Sequence, residues 1–248
     1  MILICVAFKA EATPIRARLS DASSLPSDPD SYQGRIAGTP VALLSAGMGV
    51  RRSGASSGRV MDSLAEIELV LISGVAGALR EDLKIGELVL GERVALCNDG
   101  SFQPEETVAA PAEGVGRVRK ALETARIQYA DGLMMTSRRP LMTAAEKKRA
   151  YSQTGAVSVD MESAAIALEA YRRGLPFVCM RTVLDTAAED IAAAGFIDRD
   201  GRVQPLAAAR TLVSSPRTVI QVFRLVRNLR IATNALALVV EAVVRGLG

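Results

Sequence analysis

Three carboxylates stand just past apolar runs in this chain. Glu11 follows Ile2 to Phe8, Glu162 follows Ala156 to Val159, and Asp185 follows Phe177 to Val183. Runs of this length read as short buried strands. Each acid is therefore expected near the carboxyl end of a strand. In an open α/β sheet that edge is where ligands bind. Histidine is absent, which excludes Ser-His-Asp triads, Cys-His pairs and His-ligated zinc. Acid–base chemistry near neutral pH then falls to carboxyls with raised pKa, to Lys or to Tyr. A structural role competes at each position. Asp160 and Glu162 would suit the N-terminus of a helix from about Ala164 through its dipole, and Glu11 that of a helix from about Thr13.

Two small-residue turns accompany the acids. Ser45-Ala46-Gly47-Met48-Gly49-Val50-Arg51-Arg52-Ser53 leads from an apolar run into a helix over about 53 to 65. Backbone N–H groups of such a turn can approach an anion or a hydroxyl. The G-x-G has no third glycine and is not a dinucleotide fingerprint. Arg51 and Arg52 fit an anion subsite and a solvated helix start equally well. The second turn, Ser73-Gly74-Val75-Ala76-Gly77-Ala78-Leu79, follows the buried run Leu69 to Ile72. Close packing of strands would also account for its glycines.

The remaining elements must position these groups. Residues 20 to 31 are turn-rich, and Tyr32 to Ile36 with Val41 to Leu44 reads as a hairpin. Gly86 to Ala95 reads as a strand, 98 to 112 as a polar loop, Gly114 to Ile127 as a helix and Gly132 to Thr136 as a strand. Thr143 and Glu146 form a capping pattern that opens a helix to Ser152. Ala164 to Tyr171 is a helix of small residues closed by Gly174 and Pro176.

With 248 residues and 49% hydrophobic content, the chain can bury one large α/β core. A net charge of +3 is too small for a nucleic-acid binder. That charge is uneven: residues 201 to 248 hold seven Arg against one Glu, so the rest is net acidic. Cys5, Cys97 and Cys179 have no metal spacing and read as reduced thiols of a cytoplasmic protein. Met1 to Ala7 is too short for a secretory signal and lacks a basic start. No apolar run reaches the length of a spanning helix.

Taken together, Ser45 to Gly49, Ser73 to Gly77, Asp160-Met161-Glu162-Ser163-Ala164-Ala165 and Leu184-Asp185-Thr186-Ala187 resemble the nucleoside phosphorylase and nucleosidase family. The closest branch is that of the methylthioadenosine/S-adenosylhomocysteine nucleosidases, and the match in order and spacing runs from Met1 to about Asp190. The resemblance implies a single α/β domain with a central mixed sheet, partly closed into a barrel and flanked by helices. It also implies a homo-oligomer, no cofactor, and cleavage of the N-glycosidic bond of a purine nucleoside. In that reading Asp185 neutralises the departing purine near N7, Glu162 accepts hydrogen bonds from the ribose hydroxyls and Met161 packs on the ribose. Glu11 positions or activates the nucleophile. Gly47, Met48, Gly49 and Arg51 surround phosphate or water, and Ala76, Gly77 and Leu141 border the base.

The departures from the family pattern matter as well. Leu184 stands where a Ser usually precedes the catalytic Asp, and Val75 where a hydroxyl is usual. Pro140 or Leu141 replaces the aromatic that stacks on purine. Ile72 stands where phosphorylases carry an arginine. Phosphorolysis, with inorganic phosphate as co-substrate, and hydrolysis both stay open.

The segment after 190 differs most. Ile191 to Gly201 reads as a mixed loop at the site entrance, suited to a lid. Residues 1 to 204 form the expected catalytic domain and 205 to 248 an Arg-rich helical extension. In that extension Arg217, Arg224, Arg227 and Arg230 alternate with Val, Ile, Leu and Phe, and an almost wholly apolar piece from Ile231 to Leu247 follows. Such a tail suits peripheral contact with an anionic membrane, at the inner face, or a helix packed on the domain or at a subunit interface. It also resembles the phosphorylases associated with hopanoid biosynthesis, which implies a lipid-linked substrate, adenosylhopane. A methylthioadenosine/S-adenosylhomocysteine hydrolase, a non-catalytic nucleoside-binding protein and a membrane scaffold are the competing readings.

Overall fold

The opening strand, β1 (Ile2–Val6), shows why its run is continuously apolar. Leu3 and Cys5 enter one core cluster, while Ile2, Ile4 and Val6 enter another. A strand covered on both faces has no polar side. The computed structural model describes residues 1–26, 28–191 and 216–248, with the backbone alone at 29 and 216–220. β1 lies between β4 (Thr39–Ser45) and β5 (Leu69–Ala78), parallel to both. Beyond β4 come β3 (Asp28–Ile36) and β2 (Ser20–Leu25), both antiparallel to their neighbours.

The other edge of β5 is taken along its length by β10 (Phe177–Asp185), while β9 (Ser158–Asp160) joins β5 at Gly77 and Ala78, further along the edge that β1 occupies. β10 continues to β6 (Leu88–Cys97), β6 to β8 (Tyr129–Thr136), and β8 back to β9. These five strands therefore close on themselves, and the rest of the sheet extends from β5 through β1. β7 (Pro104–Ala109) borders β6. This is the single α/β domain with a mixed, partly barrel-like sheet that the family resemblance implies.

Helices cover both faces. α2 (Val50–Ser63) and α5 (Ser163–Arg172) pack together over one core cluster. α1 (Lys9–Arg16), α3 (Ala112–Thr124) and α6 (Pro216–Leu247) cover the other. α4 (Ala144–Thr154) contributes Ala150 to a third cluster with Phe102, Met135 and Leu141.

Three sequence expectations are corrected. Residues 20 to 31 are not only turns: β2 lies there as an edge strand, and only Leu25 of its six residues is buried. The loop 98 to 112 contains β7, likewise exposed except at Val108. Strands wet on both sides carry no apolar alternation to read. The segment Ser73 to Ala78 is the second half of β5, not a turn. Gly74 is required there because a Cβ would collide with the Arg181 guanidinium and come within 2.7 Å of a Glu11 oxygen.

The tail, read as a basic piece followed by an apolar one, is a single helix of 32 residues. Leu236, Ala237, Val240, Val243 and Val244 of α6 are buried in the cluster that holds Ile2, Ile4 and Val6. Thr182 of β10 donates to the Ala232 carbonyl at 2.9 Å, and Arg18, just past α1, pairs with Glu241 at 2.9 Å. The expected lid beyond Ile191 and the start of the extension lie outside the described residues, as does the Arg217 side chain.

Candidate active site

β5 organises the site. Its Gly77 pairs with Val159 of β9 on one side and with Asp185 of β10 on the other. Val183 faces Ala76 and Asp185 faces Gly77, so Leu184 is an extra residue, a bulge. A bulge bends its strand and re-aims the adjacent side chains. Here both Leu184 and Asp185 line a cavity of about 300 Å³. Its deep part holds the buried acids Glu11, Asp160, Glu162 and Asp185 together with Lys147. Partly exposed Met48, Met161, Leu184, Ile191 and Leu229 form its outer part, with Leu225 beside them.

At one end a single guanidinium organises three acids. Arg181 of β10 is 1% exposed and pairs with Asp160 at 2.7 Å. It also donates to the Ser163 hydroxyl at 2.9 and 3.0 Å and to the Ser73 carbonyl at 3.3 Å. A buried charge needs such partners, since taking an ion from water costs several kcal/mol after relaxation. Asp160 accepts from the Thr136 hydroxyl at 2.7 Å and from the Glu162 and Ser163 backbone N–H groups, so it caps α5. The helix-terminus role thus belongs to Asp160. Glu162 turns away from its own helix and accepts from Gly49 N–H at 2.7 Å. Burial, with Asp160 close by, pushes its carboxyl up to about 8, against the pull of Arg181 and the Gly49 bond.

Glu11 links the start of α1 to β5. One oxygen accepts from Ala7 N–H at 2.7 Å and Phe8 N–H at 3.3 Å, at the start of α1. The other accepts from Val75 N–H of β5 at 2.7 Å. Burial raises its pKa, and Arg181 and these three bonds oppose the rise.

Asp185, 4% exposed, closes the far end. Lys147 of α4 forms an ion pair and a short hydrogen bond with its Oδ2. Burial raises the Asp185 pKa, and the charge and hydrogen bond of Lys147 lower it.

The structure brings Glu11, Met48, Ala76, Gly77, Leu141, Met161, Glu162 and Asp185 to one cavity. Gly47, Gly49 and Arg51 do not line it. Gly49 acts through its N–H on Glu162, and Gly47 donates to the Ala7 carbonyl at 2.9 Å. Gly47 adopts φ +89°, and a Cβ there would meet the Arg52 side chain at 2.5 Å. The arginine that folds over this turn is therefore Arg52, while Arg51 points to solvent. The position of Ile72 stays apolar and buried, and the guanidinium over Gly74 comes from Arg181 instead.

Sequence reasoning missed Lys147, Arg181, Leu225 and Leu229. Arg181 left a signal, a lone charge inside the apolar run of β10, since buried charges need partners. Lys147 left almost none. Lys147, Lys148 and Arg149 are consecutive, and only the fold decides which one turns inward.

A sequence model of the Phosphorylase superfamily matches residues 1–213. The 5'-methylthioadenosine/S-adenosylhomocysteine nucleosidase of Haemophilus ducreyi is 29% identical over 174 residues, covering 63% of this chain and 72% of that protein. The enzyme of the same description from Colwellia psychrerythraea is 26% identical over 205 residues, covering 74% and 83%. Among solved structures, the Neisseria meningitidis nucleosidase of that description, in complex with methylthio-immucillin-A, superposes with a TM-score of 0.77 at 20% identity. It covers 98% of both chains. The native futalosine hydrolase of Helicobacter pylori superposes with a TM-score of 0.73 at 18% identity over 98% and 96%. At such identities the superpositions speak for the fold, and they span α6 as well as the sheet.

Proposed function

The chain belongs to the phosphorylase superfamily, and from that premise we propose that it breaks the N-glycosidic bond of an adenine nucleoside with an apolar, lipid-like 5′ substituent. The observation that carries this reading is the convergence of Glu11, Glu162 and Asp185 on one cavity whose outer part is apolar. Loss of a purine leaves positive charge on the ribose ring and negative charge on the base. In this reading Asp185 acts as the acid: burial raises its pKa, and it donates its proton at the ring nitrogen N7 as the glycosidic electron pair leaves with the base. Glu162 holds the ribose hydroxyls, and the excess of acids beside them favours the cationic sugar. Glu11 orients the incoming oxygen.

For the acceptor we favour inorganic phosphate. Arg52 lies over the Gly47 turn and has no carboxylate partner among the described residues. The hydrolytic reading has its own support: the Glu11 carboxylate would repel a phosphate and suits activation of water. The 5′ reading rests on α6. Its Leu225 and Leu229 line the cavity, while Phe223, Val226, Arg227 and Arg230 of the same helix are exposed. A membrane-resident nucleoside such as adenosylhopane would meet both surfaces. Among the described residues no helix is long and apolar enough to cross a membrane, so this contact would be peripheral.

Adenine release and sugar product measured with and without phosphate test the reading, using adenosine, methylthioadenosine and adenosylhopane in detergent. A ribosyl 1-phosphate product that requires phosphate supports phosphorolysis. Free sugar formed at an equal rate without phosphate replaces it with hydrolysis. No adenine from any of these nucleosides rejects the activity itself.

A further inference from the structure

Lys147 is fully buried, and its three N–H donors are all used on one short segment. They reach Asp185 Oδ2, the Thr186 carbonyl at 2.8 Å and the Glu189 carbonyl at 2.9 Å. A lysine ammonium has three donors and no acceptor capacity, so the group is saturated and fixed. The Asp185 carboxyl is held from its other side by β5: a Cβ at Gly77 would stand 3.0 Å from Oδ2. No protein donor reaches Oδ1 among the described residues, and Asp185 lines the cavity.

We propose that Lys147 is the positioning residue of Asp185, fixing its carboxyl through Oδ2 so that the acidic proton sits on Oδ1 and faces the leaving base. The inference rests on the reading of Asp185 as the proton donor. A neutral carboxylic acid has one O–H and one carbonyl oxygen. The carbonyl oxygen is the stronger acceptor, so it takes the ammonium hydrogen bond and the O–H lies on the other oxygen. When the base departs, the Oδ1–H proton moves to its ring nitrogen and the glycosidic electron pair stays with the base. The carboxylate that remains is left beside the ammonium, which stabilises it. Lys147 thereby supplies, from α4, a polar contact next to Asp185, where its own neighbour Leu184 offers none.

The charged groups around Asp185 are few. Lys147 comes from α4, and Glu189 follows β10 with Arg224 of α6 pairing to it at 3.6 Å. Across the cavity stand Glu11, the Asp160–Glu162 pair and Arg139. Lys147 is the cation in direct contact, so its removal leaves burial unopposed and Asp185 retains its proton to higher pH.

The test uses Lys147→Met and Lys147→Gln in the full-length enzyme, with Asp185→Asn in parallel. Lys147→Met is expected to lower kcat for adenine release roughly 10- to 100-fold, a part of the general-acid range, with KM changed less than about threefold. The high-pH limb of its rate profile moves upward. Turnover of p-nitrophenyl riboside, whose leaving group needs no proton, stays near wild type. Lys147→Gln keeps a hydrogen-bond donor and recovers much of kcat; it also serves if the Met variant does not fold. Equal losses on both substrates with an unmoved high-pH limb would mean that Lys147 only staples the 185–189 turn, and the proposal fails. If Asp185→Asn itself turns over adenine nucleosides at the wild-type rate, the proton-donor reading fails and takes this proposal with it.

Discussion

At the deep end of the cavity four acids are held by the Lys147 ammonium and by the Arg181 guanidinium behind Asp160, whereas the outer end is mostly apolar, with Met48, Met161, Leu184, Ile191, Leu225 and Leu229 beside Pro140 and Arg139. The two ends are held by different forces. Deep in the site every charge has directional partners at fixed distances, and Arg181 and Lys147 are as buried as any leucine of the core. Such dipoles need no reorganisation when charge develops. The outer end offers apolar area, which is non-directional and tolerant of shape. The deep end can therefore dictate one reaction, while in the proposed reading the outer end selects which 5′ substituent brings a nucleoside to it.

The comparison is broken most severely at Asp185. Asp185→Asn should lower kcat by about two to four decades on every adenine nucleoside, whatever its 5′ group. The amide oxygen that replaces the carboxylate still accepts from Lys147, so a circular dichroism spectrum should remain native. Activity within a few-fold of wild type would remove Asp185 from the chemistry.

Glu162→Gln comes next. Hydrogen bonds to charged groups contribute about 1.5–3 kcal/mol, so kcat/KM should fall by roughly one to two decades, again independent of the 5′ group. Since burial pushes this carboxyl up to about 8, the wild-type kcat/KM should climb with pH toward that value as the ionised acceptor forms, and the variant should lack this limb. Stability carries the opposite sign. The folded protein binds this proton more tightly than the unfolded chain, whose carboxyl titrates near 4.5. Between those two values the unfolded state has lost the proton and the folded state keeps it, so stability falls as pH rises, by at most about 1.4 kcal/mol per pH unit. Glu162→Gln removes that slope, and its Tm relative to wild type should rise from pH 5 to pH 8. A flat difference would show that Glu162 is ionised throughout.

The two ends also differ in how far they can be read from sequence. The acids of the deep end are legible because apolar strands must end where the chain turns to polar residues, and Glu11, Glu162 and Asp185 each mark such an end. Their cations are less so: Arg181 sits within a strand pattern, and Lys147 comes from a helix whose inward face is set by packing. The bulge at Leu184 is a matter of register between β5 and β10, which no single strand encodes. At the outer end Leu225 and Leu229 are two of many apolar residues in α6. Their arrival at the cavity depends on residues 236 to 244 anchoring that helix against α1, α3 and β1. Conversely, the apolar half of α6, suited on sequence to a membrane, spends most of its apolar surface inside the protein.

Changes at the outer end should sort substrates instead of stopping the reaction. Leu225→Ala and Leu229→Ala each remove apolar surface worth about 1–3 kcal/mol to a matching substituent. kcat/KM should drop roughly tenfold to a hundredfold for nucleosides with a long apolar 5′ group, and less than about threefold for adenosine. Equal losses on both would show that these leucines shape the catalytic end, and the division between the two ends would not stand.

The smallest effect is expected on the far side of α6. Phe223, Val226, Arg227, Arg230, Ile231 and Leu238 follow one another at helical spacing and are exposed. Two surfaces of suitable chemistry fit this stripe: an anionic bilayer and a second copy of the chain. Arg224 is a poor probe because it reaches back to Glu189, beside the Asp185 segment. Arg227→Glu with Arg230→Glu is cleaner. Each arginine near an anionic surface contributes about 1 kcal/mol, so losing two weakens binding roughly thirtyfold, and reversing their sign weakens it further. Sedimentation with vesicles containing phosphatidylglycerol should show binding that falls with salt, because the attraction is screened beyond about 8 Å at physiological ionic strength. The double variant should lose that binding while adenosine turnover in solution stays within about twofold. If wild type ignores vesicles and the double variant instead changes mass in light scattering, the stripe is a subunit interface. The apolar outer end of the cavity would then select a small 5′ group, not a membrane lipid.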